Sequence, residues 1–190
     1  MNGGHFDWNI EAAGQTGDAG NPFPVLCGTS DTCDLSGAVA EGWIGFNFNH
    51  GERSRSRVHV GFYGASGDKS DTDKVESFIP LFGDFHGRLG YNDFFGASDI
   101  DDINAGYEVW LNDGRHMAGI YYHMFKENEP APGDDDDLGD EIDLKYSFQW
   151  KPNVGLEVGY DMLNPGKAFE FTGFDPDTVV RGYVQLRTRW

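Results

Sequence analysis

The chain has 190 residues, and 14 Lys plus Arg against 32 Asp plus Glu leave a formal charge of −18. That balance excludes a nucleic-acid binder, which needs clustered bases to neutralise phosphates. Apolar runs as short as Val109-Trp110-Leu111 exclude a membrane helix of about 20 apolar residues. A hydrophobic share of 38% and a mean hydropathy of −0.53 fit a soluble acidic protein, while 15% aromatic residues and 27 glycines fit disorder poorly. Two classes remain: a soluble all-β domain, or a membrane β-barrel with its apolar residues at every second position.

Periodicity separates them. Phe6, Trp8, Ile10 and Ala12 alternate with Asp7, Asn9, Glu11 and Ala13. Ala40, Gly42, Ile44, Phe46 and Phe48 alternate with Glu41, Trp43, Gly45, Asn47 and Asn49, Trp43 being a large exception on the polar side. Val58, Val60 and Phe62 alternate with His59, Gly61 and Tyr63. The odd positions from Ile103 to Leu111 are apolar or aromatic, opposite Asn104, Gly106, Glu108 and Trp110, and Ala118, Ile120, Tyr122 and Met124 alternate with Gly119, Tyr121 and His123. Ile142, Leu144, Tyr146, Phe148 and Trp150 then alternate with Asp143, Lys145, Ser147 and Gln149. After Lys151-Pro152-Asn153, Val154, Leu156, Val158, Tyr160 and Met162 stand opposite Gly155, Glu157, Gly159 and Asp161. Finally Val180, Gly182, Val184, Leu186, Thr188 and Trp190 stand opposite Arg181, Tyr183, Gln185, Arg187 and Arg189. Period two is a strand signal, and the segments predict roughly eight strands of about 9–11 residues, the length that crosses a bilayer at a barrel tilt.

The connections sort into short turns at 50–57, 112–115 and 151–153 and long loops at 14–34, 66–102, 126–141 and 163–178, in strict alternation. Short turns on one rim and long loops on the other are the pattern of outer-membrane barrels. The long loops hold 23 of the 32 acids and only five bases, Lys69, Lys74, Arg88, Lys126 and Lys167, which places the whole excess charge on one rim. The expected fold is thus all-β, an antiparallel up-and-down transmembrane β-barrel over residues 1–190, with short periplasmic turns and long acidic extracellular loops. A soluble lipocalin-like barrel is the opposing expectation, with the apolar faces turned inward.

The polar faces give the candidate pore lining: Glu41, Arg57, Glu108, His123, Asp143, Lys145, Glu157, Asp161, Arg181, Tyr183, Arg187 and Arg189. With Asp7 and Glu11, seven acids stand there against five bases. Such a wall sets a transverse field that tunes ion selectivity without a chemical step, or pairs across strands to fill a narrow interior. Trp8, Tyr107, Tyr122, Tyr146, Trp150, Tyr160 and Trp190 lie on the apolar faces, as interfacial girdles do. Cys27 and Cys33 flank five polar or small residues and would close a disulfide ring in an oxidising compartment. The run Asp134-Asp135-Asp136-Asp137 reads first as a solvated loop; calcium held by carboxylates is the sharper reading, although EF-hand spacing is absent. The sequence lacks GxSxG and zinc-type Cys/His spacing, so neither an enzyme nor a structural metal is expected.

Three stretches carry a family resemblance. Phe78-Ile-Pro-Leu-Phe82 with Gly90-Tyr-Asn-Asp-Phe-Phe-Gly96 and Ile103-Asn-Ala-Gly-Tyr107, then Gly139-Asp-Glu-Ile-Asp-Leu144 through Val158-Gly-Tyr160 and Asn164-Pro-Gly166, then Gly182-Tyr-Val-Gln-Leu186 to Trp190, resemble bacterial outer-membrane barrels of the alginate-export family over residues 58–190. The resemblance implies a porin-like channel or channel segment for hydrophilic solutes or ions in the outer membrane of a Gram-negative bacterium. Family members are about twice this length or more, which implies a C-terminal part of a larger barrel, completed by an upstream half or a second copy. Alginate-specific members are expected to line their pore with many bases, unlike the near balance here. Met1-Asn-Gly-Gly-His5 has no signal-peptide character, so a mature, truncated or engineered form is expected. The competing function is a non-transporting surface barrel whose acidic loops bind cations or a partner.

Overall fold

The computed structural model describes residues 3–20, 32–69, 74–80, 87–172 and 177–189. Eight strands, β1 (His5–Gly20), β2 (Thr32–Asn49), β3 (Arg55–Ala65), β4 (Ile100–Leu111), β5 (His116–Lys126), β6 (Asp137–Lys151), β7 (Val154–Pro165) and β8 (Val179–Thr188), form one sheet in chain order. Every neighbouring pair is antiparallel. A 3-10 turn, Lys167–Thr172, lies between β7 and β8.

The two faces have opposite chemistry. Trp8, Ile10, Ile44, Val60, Phe62, Ile103, Ile120, Leu144, Val158, Val184 and Leu186 are exposed on the outer face, with Val184 at 72%. Asn47, Asp102, His123, Glu141, Asp143, Glu157 and Asp161 are buried on the inner face. Apolar outside and polar inside inverts a soluble barrel, and the lipocalin-like expectation falls with it. In water the outer face would be one continuous apolar surface, far beyond the few hundred Å² a soluble monomer tolerates. In lipid it is the matching one.

The buried apolar core sits at the long-loop end. Tyr63, Ala65, Leu89, Ala97, Ile100, Phe125 and Leu163 cluster there, with Phe78, Phe95, Leu138 and Val179 against them. Phe95 packs on Phe125 at 4.7 Å between ring centroids, and the Tyr63 hydroxyl donates to Ala97 O at 2.8 Å. This cluster forms where the chain leaves the lipid-facing band and can bury side chains beneath its own loops.

Several boundaries differ from the sequence reading. β1 and β2 run on as a paired ribbon to Gly20 opposite Thr32, through the stretch assigned to a long loop. That extension is built mostly of Gly, Ala, Ser, Thr and Asp, with Gln15, Cys33 and Leu35 among them, and its register comes from pairing rather than from an apolar face, so alternation does not mark it. Residues 74–80 dock beside it: Val75 N donates to Asp34 O and Ser36 N to Val75 O, both at 2.9 Å, and Gln15 holds Ile79 through both its amide atoms. Asp18, Asp34, Asp101, Asp102, Asp137, Asp140 and Glu141, assigned to loops from the sequence, stand in strands. The excess charge is therefore not confined to the loops. Cys33 is disulfide-bonded; Cys27 and Trp190 lie outside the described residues.

The face assignment is testable on a central strand. Val60→Arg places a cation in the lipid-facing band, at a cost of roughly 2–4 kcal/mol near the bilayer midplane. Urea unfolding in lipid vesicles should show that loss, whereas the neighbouring inner-face change His59→Arg should cost much less. Equal sensitivity at both positions would contradict the assignment.

Candidate functional site

The functional candidates converge on the inner face, where strand pairing brings distant residues into rows. One row runs Asn47, Arg57, Glu108, Gly119, Lys145, Gly159, Tyr183 across β2 to β8. A second sets Asp143 opposite Asp161 and Asp161 opposite Arg181. Since inner-face side chains come from every second residue of every strand, in-register pairing alone builds a charged wall.

The wall is densely cross-linked. Arg57 Nε lies 3.1 Å from Asp7 Oδ2 and its Nη1 3.7 Å from Glu108 Oε2, while its guanidinium stacks 4.5 Å from the Trp43 ring. Trp43, the exception in the alternation, thus has a use: it is the aromatic platform for that cation. The Tyr121 hydroxyl donates to Glu108 Oε1 at 2.7 Å. Glu157 accepts from Ser147 at 3.0 Å and from Tyr183 and Arg187 at 3.2 Å. His123 Nδ1 lies 2.9 Å from Asp102 Oδ2, which also accepts from Asn104 Nδ2 at 2.8 Å, and His123 Nε2 is 3.7 Å from Asp143. A side chain at position 159 would collide with the Tyr183 ring, 2.1 Å from an ideal Cβ, so the glycine there lets the ring lie flat on the wall.

A loop segment folds back over this wall. Tyr91 N and Asn92 N donate to one oxygen of the buried Glu141 carboxylate, at 2.7 and 2.8 Å. Gly90, in the left-handed region at φ 77°, admits that carboxylate: an ideal Cβ there would stand 2.4 Å from Glu141 Oε1. Lys145 Nζ donates to the Tyr91 hydroxyl at 2.6 Å, Arg88 pairs with Glu41 at 3.0 Å, and Arg181 reaches both Tyr91 O and Asp93. The loop thus rests on three strands, β2, β6 and β8, with a cavity of about 380 Å³ left between it and the wall, bordered by Trp43, Arg57, His59, Glu108 and Tyr121. Nearer the loop ends, burial raises the carboxyl groups of Asp99 and Glu127 above the usual carboxylate range, and Asp99 accepts from Glu129 N at 2.8 Å.

The residues expected to line a pore are placed as follows. Glu41, Arg57, Glu108, His123, Asp143, Lys145, Glu157, Asp161, Arg181, Tyr183 and Arg187 stand on the inner-face side of their strands. Arg189 lies beyond β8 at the short-turn end, where its N–H donates to Asn153 O at 3.0 Å and its side chain borders a cavity of about 170 Å³ with Ser147, Glu157 and Arg187. The sequence reading missed Asp102, Glu141 and Tyr91. The two acids share the parity of their strands and could have been found by extending the alternation past the apolar band; nothing local marks Tyr91. In the acidic run, Asp136 pairs with Lys126 at 2.8 Å and Asp135 accepts from Asp137 N at 3.1 Å. Among the described residues no three metal-ligating side chains gather at one point.

A protein-family model described as alginate export matches residues 1–175. The chain belongs to that family, whose members are outer-membrane channels. No curated protein matches it.

The loop anchor makes a prediction. Glu141→Ala removes the acceptor for two backbone amides, and hydrogen bonds to a charged group contribute about 1.5–3 kcal/mol. Hydrogen exchange at Tyr91 and Asn92 should accelerate at least about tenfold, by the same energy, while exchange in β3 and β4 stays unchanged. Unaltered exchange at both amides would show that the loop is held by something else.

Proposed function

We propose that this alginate-export-family chain forms the wall of an outer-membrane channel for small hydrophilic solutes and ions, with the segment 87–93 as its constriction. One observation carries the reading: the apolar face is outside, the charged face is inside, and a loop is anchored onto the charged face by ionic and hydrogen bonds from several strands. An anchor or a surface receptor needs no such inward loop.

The chemistry of the wall supports a preference for cations. Asp102 and Glu141 join the seven acids named from the sequence, and Arg55, stacked on Trp110 at the inner-face parity of β3, joins the five bases, so nine acids stand against six bases. Rings of carboxylates lower the energy of a cation and raise that of an anion in a narrow aqueous path. A polyanion would meet the same wall unfavourably, which supports small solutes over an acidic polysaccharide. The constriction acts by size: Tyr91 and Arg88 project from the loop toward the wall, and their length sets the free passage.

The test is planar-bilayer recording on the reconstituted protein in a KCl gradient. The reversal potential should report K⁺ preferred over Cl⁻, and the double change Arg88→Ala with Tyr91→Ala should raise unit conductance. Anion selectivity, or a conductance indifferent to both changes, would contradict the proposal.

A further inference from the structure

The short-turn end of β5 and β6 carries a cluster of basic and aromatic side chains. The register between β6 and β7 shifts between Gln149 and Lys151, and Trp150, passed over by the pairing, stands 63% exposed. A bulge of this kind re-aims a side chain. Lys151 Nζ lies 5.5 Å from the Trp150 ring centroid. Arg115 reaches over from the neighbouring turn: its Nε and Nη2 donate to Gln149 O and Trp150 O, both at 3.4 Å, and its guanidinium stands 5.9 Å from the Phe148 ring. His116, directly opposite Phe148 in the register, stacks on it at 4.9 Å, and its Nδ1 lies 2.8 Å from the Tyr146 hydroxyl. Leu144 and Tyr146 continue the same exposed outer face toward the middle of the apolar band, so the cluster marks the margin of that band.

Its two cations differ from most others in the chain. Acids are in excess at a formal charge of −18, and Arg53, Arg57, Arg88, Lys126, Arg181 and Arg187 each hold a carboxylate. Arg115 and Lys151 are exposed and hold none among the described residues. Asp113, the acid nearest to Arg115 along the chain, is taken by Arg53 at 2.7 Å. Aromatic rings of this kind sit at the headgroup level of a bilayer, and long basic side chains lay their stems on apolar surface while the charge reaches the polar layer.

We propose that Arg115 and Lys151, flanking Trp150, form a headgroup site for an anionic phospholipid in the leaflet on the short-turn side. The inference rests on the membrane-channel reading. Charge selects the lipid class: a zwitterionic headgroup brings a cation of its own to the two bases, whereas phosphatidylglycerol brings only a phosphate. Charge also selects the side, since at the opposite end an anionic headgroup meets the acidic loops, the run Asp134-Asp135-Asp136-Asp137 among them.

The full chain is reconstituted in phosphatidylcholine vesicles with and without phosphatidylglycerol and unfolded in urea. Phosphatidylglycerol should raise the unfolding midpoint of the unaltered chain and leave that of the double variant Arg115→Gln, Lys151→Gln in place. Binding is read separately on a variant whose only tryptophan is Trp150. Brominated phosphatidylglycerol in a phosphatidylcholine background should quench it beyond its mole fraction. Each single change to Gln should lower that preference about fivefold, and molar salt, with a Debye length of about 3 Å, should abolish it. Quenching no greater than the mole fraction, or an equal midpoint shift in the double variant, would overturn the proposal and leave the membrane reading standing. So would displacement of the lipid by millimolar inorganic phosphate but not by chloride of the same ionic strength, the mark of a site for the free anion. Trp150 left bright by both brominated phosphatidylglycerol and brominated phosphatidylcholine would overturn both readings.

Discussion

The structure depends on one constraint: in hydrocarbon, every backbone polar group must find its partner within the protein, and every lipid-facing side chain must be apolar. A sheet meets the first demand by pairing and the second by giving one face to lipid. The strict alternation of side chains along a strand then sends all remaining chemistry to the other face. The same pleat that places Val58, Val60 and Phe62 outside places Arg57, His59 and Tyr63 inside, and β3 is one of eight strands built this way.

Once polar groups are crowded on an inner wall, they must be satisfied there. The sheet does so with cross-strand partners, as in Arg57 between Asp7 and Glu108, and with the loop that follows β3, whose backbone amides meet Glu141 and whose Tyr91 meets Lys145. Asp143 and Asp161 stand directly opposite one another, an arrangement unfavourable for like charges, with Arg181 next in the row and His123 3.7 Å from Asp143. This concentration of carboxylates serves little in a passive anchor, and it is the feature that favours cations in the proposed channel.

Much of this was legible in the sequence, and the legible part tracks the lipid. Where a strand contacts hydrocarbon, as from Ile142 to Trp150, the alternation gives its existence and its face. Where a strand runs past the apolar band the signal fades: the paired extension of β1 and β2 and the strand positions of Asp102 and Glu141 were taken up into loops because nothing there needs to be apolar. Trp43 breaks the alternation and still faces inward, since stacking on Arg57 supplies what lipid supplies elsewhere. Tyr91 was invisible because its placement depends on backbone amides and on a carboxylate 50 residues away. The family resemblance, placed at residues 58–190 from its motifs, extends in the family match over residues 1–175.

The central claim, that the apolar face meets lipid and the charged face does not, is most directly tested by fluorescence quenching with brominated acyl chains. Variants of the chain retaining only Trp8, on the outer face of β1, or only Trp43, on the inner face of β2, are reconstituted in vesicles. Strong quenching of Trp8 with Trp43 left bright is the predicted result. Equal quenching of the two, or quenching of Trp43 alone, would contradict the account.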